Sequence, residues 1–322
     1  MLPYPTLVYF MGFIRRLKPA YAFYNLFQRR RLLHNVALYQ KLGLRKSYFS
    51  PISSRDFSRL PPPESTTEPQ LLAQRLAATP AFGELPAAAQ ASLLGFEEQG
   101  FAILPGFIAP AAVDALNADL DALVASGKLK FRYRNKLMFA FRQSALVNQA
   151  AHDARLLGVL GALLGHEARL FQSINFLTGS EQHTHSDSIH MSTYPLGGLI
   201  AAWVALEDIT PENGPLHYYP GSHKLPYYLN ADYDNEGNNW LIGDKDYSAY
   251  EAFIDKRVQD LGLKKEVFLA KKGDIFIWHA NLLHGGEPHP NKALTRRSMV
   301  LHYFSPDHIC YHEITQRPAL LG

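Results

Sequence analysis

Residues 183 to 191 read HTHSDSIHM, which puts three imidazoles and one carboxylate, the side chains that hold metal ions, into a single short stretch. In an extended strand, residues two apart point to one face, so His183, His185 and Asp187 are expected on one side and Thr184 and Ser186 on the other. The H-x-D triplet then aims an imidazole and a carboxylate at one point. Two ligands are not a site. An iron that keeps positions free for substrate and oxygen needs a third protein ligand on the same face, delivered from a distant strand. The run KKGDIFIWHANLLHGGEPHPNKALTRRSMVLHYF (271–304) offers His279, His284, His289 and His302, and spacing alone does not choose among them. It also holds the adjacent Arg296 and Arg297, which point to opposite faces of a strand. Arg296 shares its face with Ser298, and that pair can present a guanidinium fork and a hydroxyl to one carboxylate.

These groups need a rigid frame, and the pattern from residue 91 onward supplies one. GFEEQGFAILPGF (95–107) reads as a helix end, a turn at Gly100 and a short apolar strand. In 110–126, Val113, Leu116, Leu120 and Leu123 recur at helical spacing behind Pro110 and are stopped by Gly127. A second helix is predicted from about Gln143 to Leu164. Short β-runs follow, separated by Gly, Pro and Asn: ARLFQSINFL, QHTHSDSIHM, GLIAAWVALEDI, PLHYYPG, KEVFLA, GDIFIWH and RRSMVLHYF. Helices first and many strands afterward predict a mainly β fold with flanking helices, a double-stranded β-helix or jelly roll of cupin-like form.

Composition bounds the rest. The chain has 322 residues, 47% of them apolar, enough for one large core plus an extension. Cys310 is the only cysteine, which excludes an internal disulfide and multi-cysteine metal sites and makes a reducing, cytoplasmic setting the default. The apolar TLVYFMGFI (6–14) has no basic segment before it, so a usual signal peptide is not expected, and it falls far short of the ~20 residues that span a bilayer. Up to Arg55 there are ten basic residues and no acidic one, interleaved with Tyr9, Phe10, Phe13, Tyr21, Phe23, Tyr24 and Phe27. That pattern suits either helices packed on the body or on a second subunit, or peripheral contact of residues 1–55 with an anionic membrane. Nucleic acid is not expected, since no recognisable module accompanies the charge. The resulting division is a helical extension (1–60), a proline-containing connector (61–90, with PPPES at 61–65), a catalytic domain (91–310) and a tail (311–322).

The ordered blocks GFAILPGF, H-S-D, AAWVALEDITPENGPLHYYPGSHK (201–224) and GD…H…LLHGG…R-x-S…HY resemble the phytanoyl-CoA dioxygenase family of Fe(II)- and 2-oxoglutarate-dependent oxygenases over roughly residues 91 to 308. The resemblance implies His185, Asp187 and His284 as iron ligands, with His284 chosen because it sits in LLHGG, whose glycines leave room beside the metal. It implies Arg296, with Ser298, as the partner of the distal carboxylate of 2-oxoglutarate. It places Trp203 near the cosubstrate, and Gln172 and Asn175 as amides toward its other end. His183 is left between a supporting role and a plain structural one. The implied reaction consumes 2-oxoglutarate and O2, releases succinate and CO2, and hydroxylates an unactivated C–H bond of a small-molecule or lipid-linked substrate. Asp187 argues against halogenation. A long insertion (225–263), rich in tyrosine, reads either as a lid over the jelly-roll mouth or as a subdomain or oligomer contact. Two other readings stay open: a non-catalytic metal-binding scaffold acting through its basic N-terminus, and a cupin metalloenzyme that needs no 2-oxoglutarate.

Overall fold

In a computed structural model, residues 16–60, 71–133 and 135–321 are described. The apolar run 6–14 and the PPPES segment lie outside the described residues. Among the described residues twelve strands are formed: β1 (Phe101–Leu104), β2 (Lys136–Met138), β3 (Arg169–Phe176), β4 (Ser192–Tyr194), β5 (Leu199–Ala205), β6 (Leu216–Tyr218), β7 (Glu266–Phe268), β8 (Ile275–His279), β9 (His284–Gly286), β10 (Ser298–Phe304), β11 (Ile309–His312) and β12 (Arg317–Pro318). The main sheet is antiparallel, in the order β1–β8–β5–β10–β3–β2, and two smaller three-stranded sheets, β7–β6–β9 and β12–β11–β4, complete a jelly-roll core. This is the mainly β architecture with flanking helices that the sequence predicts.

Alternation along β5 separates two cores. Ile200, Ala202 and Val204 face outward against helices, while Ala201, Trp203 and Ala205 face inward with Phe276, Trp278 and Val300. The helices are, in chain order, α1 (Lys18–Phe27), α2 (His34–Lys41), α3 (Leu72–Ala77), α4 (Pro80–Glu84), α5 (Ala87–Leu94), α6 (Phe96–Gln99), α7 (Pro110–Ala125), α8 (Ala145–Ala151), α9 (Ala154–Leu164) and α10 (Tyr247–Asp260). Val113, Leu116, Leu120 and Leu123 of α7 are buried in the outer core as their spacing requires. Burying one leucine is worth about 1.5–3 kcal/mol, against about 1 kcal/mol net for a hydrogen bond such as Asn117 Nδ2 to Leu206 O. Apolar packing therefore fixes this layer.

Three boundaries differ from the sequence reading. The helix predicted from Gln143 to Leu164 is two, α8 and α9, because Asp153 accepts hydrogen bonds from Arg155 N and Leu156 N and so starts a new helix. Residues 72–94 are not an open connector: Leu72, Leu76, Ala89 and Leu93 are buried in the outer core. Residues 311–318 are not a loose tail, since β11 pairs with both β4 and β12.

The described part of the N-terminal extension packs on the body. Tyr39, Ile52 and Phe57 share a core with Ile309 and Tyr311 of β11, and the Phe57 ring stacks 4.2 Å from that of Tyr194. Ser54 donates through its amide (2.9 Å) and hydroxyl (2.6 Å) to the buried Glu313 carboxylate, which also accepts from Asn230 N at 3.3 Å. An amide at position 313 turns a donor toward these donors and leaves one of them unpaired. Glu313→Gln is expected to lower the denaturant midpoint by the equivalent of about 1–3 kcal/mol; an unchanged midpoint would show that the junction carries no stability.

Candidate active site

The two candidate histidine ligands meet through the backbone. His185 and His284 form an antiparallel bridge, with His185 N to His284 O and His284 N to His185 O both at 2.9 Å, and their rings lie 4.5 Å apart. Each ring donates its Nδ1–H to a carbonyl two residues earlier, His183 O at 2.8 Å and Leu282 O at 2.9 Å. Both Nε2 lone pairs are thereby turned inward. Asp187 Oδ1 lies 3.9 Å from His185 Nε2 and 3.8 Å from His284 Nε2, and the three ligating atoms all fall within 4.8 Å of one another. Burial keeps His185 well below its ordinary pKa, so the imidazole is neutral and free to ligate. Burial alone would raise the Asp187 carboxyl, but His284 and the hydrogen bond from His302 outweigh it and lower the group, which stays ionised. Two imidazole nitrogens and one carboxylate on one face fit a ferrous ion with open positions opposite.

The local structure departs from the strand that alternation suggests. Only His185 is bridged, and Asp187 opens a 3-10 turn, Asp187–Ile189. His183 is exposed, so its carbonyl serves the site and its ring does not. Asp187 Oδ2 accepts from Trp278 Nε1 at 2.7 Å and lies 3.6 Å from His302 Nε2, which leaves Oδ1 for the metal. The glycines after His284 make room for something other than the metal: a Cβ on Gly285 would come within 2.6 Å of Gln182 O and 2.7 Å of the His217 ring. They let β9 close against the metal-binding segment. Of the other candidate histidines, His279 accepts from Asn281 N and His289 from Gly179 N, both away from the cluster.

The insertion contributes a packed subdomain beside the metal-binding turn. Its helix α10 packs beneath the metal-binding turn, where Tyr233, Tyr250 and Ile254 share a core with Ile189 and Leu283. The fully buried Tyr250 places its hydroxyl 3.3 Å from Ser186 N and 3.2 Å from Ser186 Oγ, directly between two of the ligands.

A cavity of about 280 Å³ opens onto the cluster. Arg296 lines it, 2% exposed, held by Nε to Gly214 O at 2.9 Å and NH1 to Ser298 Oγ at 2.7 Å, with the guanidinium 5.4 Å from the Trp203 ring. Burial lowers its pKa to about 10, which still leaves it charged at neutral pH. Among the described residues no carboxylate forms an ion pair with it. A buried guanidinium in that state is a site for an anion. Gln172 and Trp203 line the cavity; the Trp203 Nε1 has no partner. Asn175 does not join them. It sits three residues from Gln172 on β3, hence on the opposite face, behind the sheet. Lys136, Gln182, His190 and His312 also reach the cavity, and the sequence reading missed them. Lys136 stands on a three-residue edge strand with no pattern of its own, and Trp278 was missed too, although its spacing from Phe276 in the strand GDIFIWH places both on one face.

A jelly roll whose inner face holds a two-histidine, one-carboxylate cluster beside a buried, unpaired arginine defines the class of Fe(II)/2-oxoglutarate-dependent dioxygenases. Residues 96–298 match the family model for phytanoyl-CoA dioxygenase (PhyH). The chain belongs to the phytanoyl-CoA dioxygenase family. It is 32% identical over 257 residues to the ectoine dioxygenase of Halomonas elongata, covering 72% of this chain and 75% of that one. It is 32% identical over 171 residues to a phytanoyl-CoA dioxygenase domain-containing protein 1 homolog of Dictyostelium discoideum, covering 52% of this chain and 55% of that relative's length. In fold it is similar to the non-heme alpha ketoglutarate dependent carbocyclase SnoK (TM-score 0.57, 15% identity, 76% of this chain and 89% of that one). It is also similar to EctD from S. alaskensis with 2-oxoglutarate and 5-hydroxyectoine (TM-score 0.52, 22% identity, 69% and 77%).

Removing the indole donor to Asp187 Oδ2 in Trp278→Phe is expected to weaken Fe(II) binding about 10–100-fold in anaerobic titration. Tyr250→Phe, which keeps the ring and frees Ser186, is expected to weaken it by less, with the melting temperature nearly unchanged. Wild-type affinity in both variants would mean that neither group positions the ligands.

Proposed function

We propose that the protein uses Fe(II), 2-oxoglutarate and O2 to hydroxylate an unactivated C–H bond of a small-molecule or lipid-linked substrate. The observation that carries this reading is the juxtaposition of the His185–Asp187–His284 cluster with the buried, carboxylate-free Arg296 in one cavity. A metal-binding scaffold has no use for that arginine, and neither has a cupin that works without 2-oxoglutarate. When bound, the iron and cosubstrate supply the oxidation: 2-oxoglutarate and O2 become succinate and CO2, with one oxygen atom inserted into the substrate C–H bond to give an alcohol.

The protein's own part is positioning. His185, Asp187 and His284 hold the metal from one side. Arg296 and Ser298 bind the distal carboxylate of 2-oxoglutarate, oriented by Gly214 O and the Trp203 face. Gln172 and the half-buried Lys136 supply polar contact toward its other end. Ile174, Phe176 and Val300 exclude water from the same cavity. Beyond the metal, burial brings His190 down to about 4 and His312 to about 3, so both imidazoles stay neutral near neutral pH. His312 Nδ1 accepts from Thr315 N at 3.3 Å, which leaves its Nε2–H as a donor for a polar group of the substrate. Among the described residues no helix is long and apolar enough to cross a membrane. We place the enzyme in the cytoplasm, with residues 1–55 as the segment for any peripheral membrane contact; a homo-oligomer is compatible with this reading.

Anaerobic addition of Fe(II) and 2-oxoglutarate is expected to give the visible charge-transfer band of the chelate in wild type and none in His185→Ala. Arg296→Leu, losing a charged two-point contact, is expected to weaken 2-oxoglutarate binding roughly 10–100-fold in the same titration. A band that survives His185→Ala would refute the metal assignment, and unaltered 2-oxoglutarate affinity in the arginine variant would refute the cosubstrate site.

A further inference from the structure

Helix α1 is amphipathic in the wrong sense for a helix that only covers a core. Its polar Asn25 is buried and donates to Phe49 O at 2.9 Å, while Tyr21 turns inward with the Arg317 guanidinium 4.6 Å from its ring. Positions 20, 23, 24 and 27, one stripe at helical spacing, face outward as Ala20, Phe23, Tyr24 and Phe27. Phe23 is 64% exposed, Tyr24 51% and Phe27 72%. The Phe23 and Phe27 rings meet edge to face at 4.9 Å, so the apolar ledge is already formed. Arg29 and Arg30 follow it, both exposed, and Leu33 is exposed on the next turn. Beside the helix start, Lys18 N donates to Trp240 O at 2.8 Å, and the Trp240 side chain of the insertion is 70% exposed. Asp244 pairs with Arg16 at 3.3 Å at this segment's start.

We propose that the outward face of α1, with Phe23, Tyr24, Phe27, Arg29, Arg30 and the neighbouring Trp240, docks the protein on an anionic phospholipid bilayer. Charge complementarity selects this occupant: α1 and the turn after it hold no acidic residue, Arg29 and Arg30 stand exposed beside the rings, and Asp244 near Trp240 is paired with Arg16. Phenyl, phenol and indole rings seat at the headgroup level while the guanidinium groups meet lipid phosphates. The helix is held on the body by Asn25, by Lys18 and by Ile242 N to Arg16 O at 2.9 Å. The ledge is therefore rigid, and docking orders nothing new. The proposal stands on this surface and not on the oxidation chemistry.

The test is co-sedimentation of the full chain with phosphatidylcholine vesicles, with and without about 30% phosphatidylserine. Wild type is expected to bind the anionic vesicles at least about tenfold more tightly than the neutral ones, and to lose that preference at high salt. Phe23→Ser/Phe27→Ser and Arg29→Glu/Arg30→Glu are each expected to reduce binding about tenfold or more while retaining the Fe(II)/2-oxoglutarate band as proof of folding. Equal binding of the variants, or no binding by wild type, overturns the proposal. So does a wild-type dimer in size-exclusion chromatography that both variants dissociate, because the stripe would then be covered by a second copy of the chain.

Discussion

The whole site depends on one short antiparallel contact. Two backbone hydrogen bonds join His185 to His284, residues about a hundred positions apart in the chain, and set their rings side by side. Everything that surrounds this contact serves to keep it close. The glycines after His284 let the two segments approach, the carbonyls of His183 and Leu282 fix the tautomers, and Trp278 ties down the carboxylate oxygen that the metal does not take. A one-residue slip of either segment would turn an imidazole to the wrong face.

The remainder of the fold supplies rigidity to that contact from two sides. On one side, the main sheet presents Trp203 and Ser298, with Arg296 just before β10, from strands whose outer faces are locked by helices α7 to α9. On the other, the insertion and the N-terminal extension form a continuous support: Tyr250 reaches Ser186, Asn230 and Ser54 share the Glu313 carboxylate, and α1 leans on the Trp240 loop. Segments outside the jelly roll thus contribute to the metal-binding turn without touching the metal.

Much of this was legible in the residue pattern, and the failures have physical causes. GLIAAWVALEDI, GDIFIWH and RRSMVLHYF are legible as strands because they are short, nearly unbroken apolar runs, the mark of strands buried on both faces, and Arg296 follows from its two-residue spacing to Ser298. HTHSDSIHM misleads because its polar side chains are positioned by a bridge and a 3-10 turn, neither of which has a two-residue period. Assigning Gln172 and Asn175 the same role neglected parity along one strand. The insertion's supporting role was hidden because a buried aromatic and an exposed one look alike in sequence; only the fold distinguishes the buried Tyr250 from the exposed Trp240. Lys136 and His312 come from strands of three and four residues, too short for local pattern to carry much information.

The most direct measurement is a crystal structure of the protein loaded anaerobically with Fe(II) and 2-oxoglutarate. The account requires a single iron bound by Nε2 of both imidazoles and Oδ1 of Asp187, with the cosubstrate's distal carboxylate on Arg296. A metal held through His302 or through an Nδ1 atom, or a cosubstrate that leaves the arginine untouched, would contradict it.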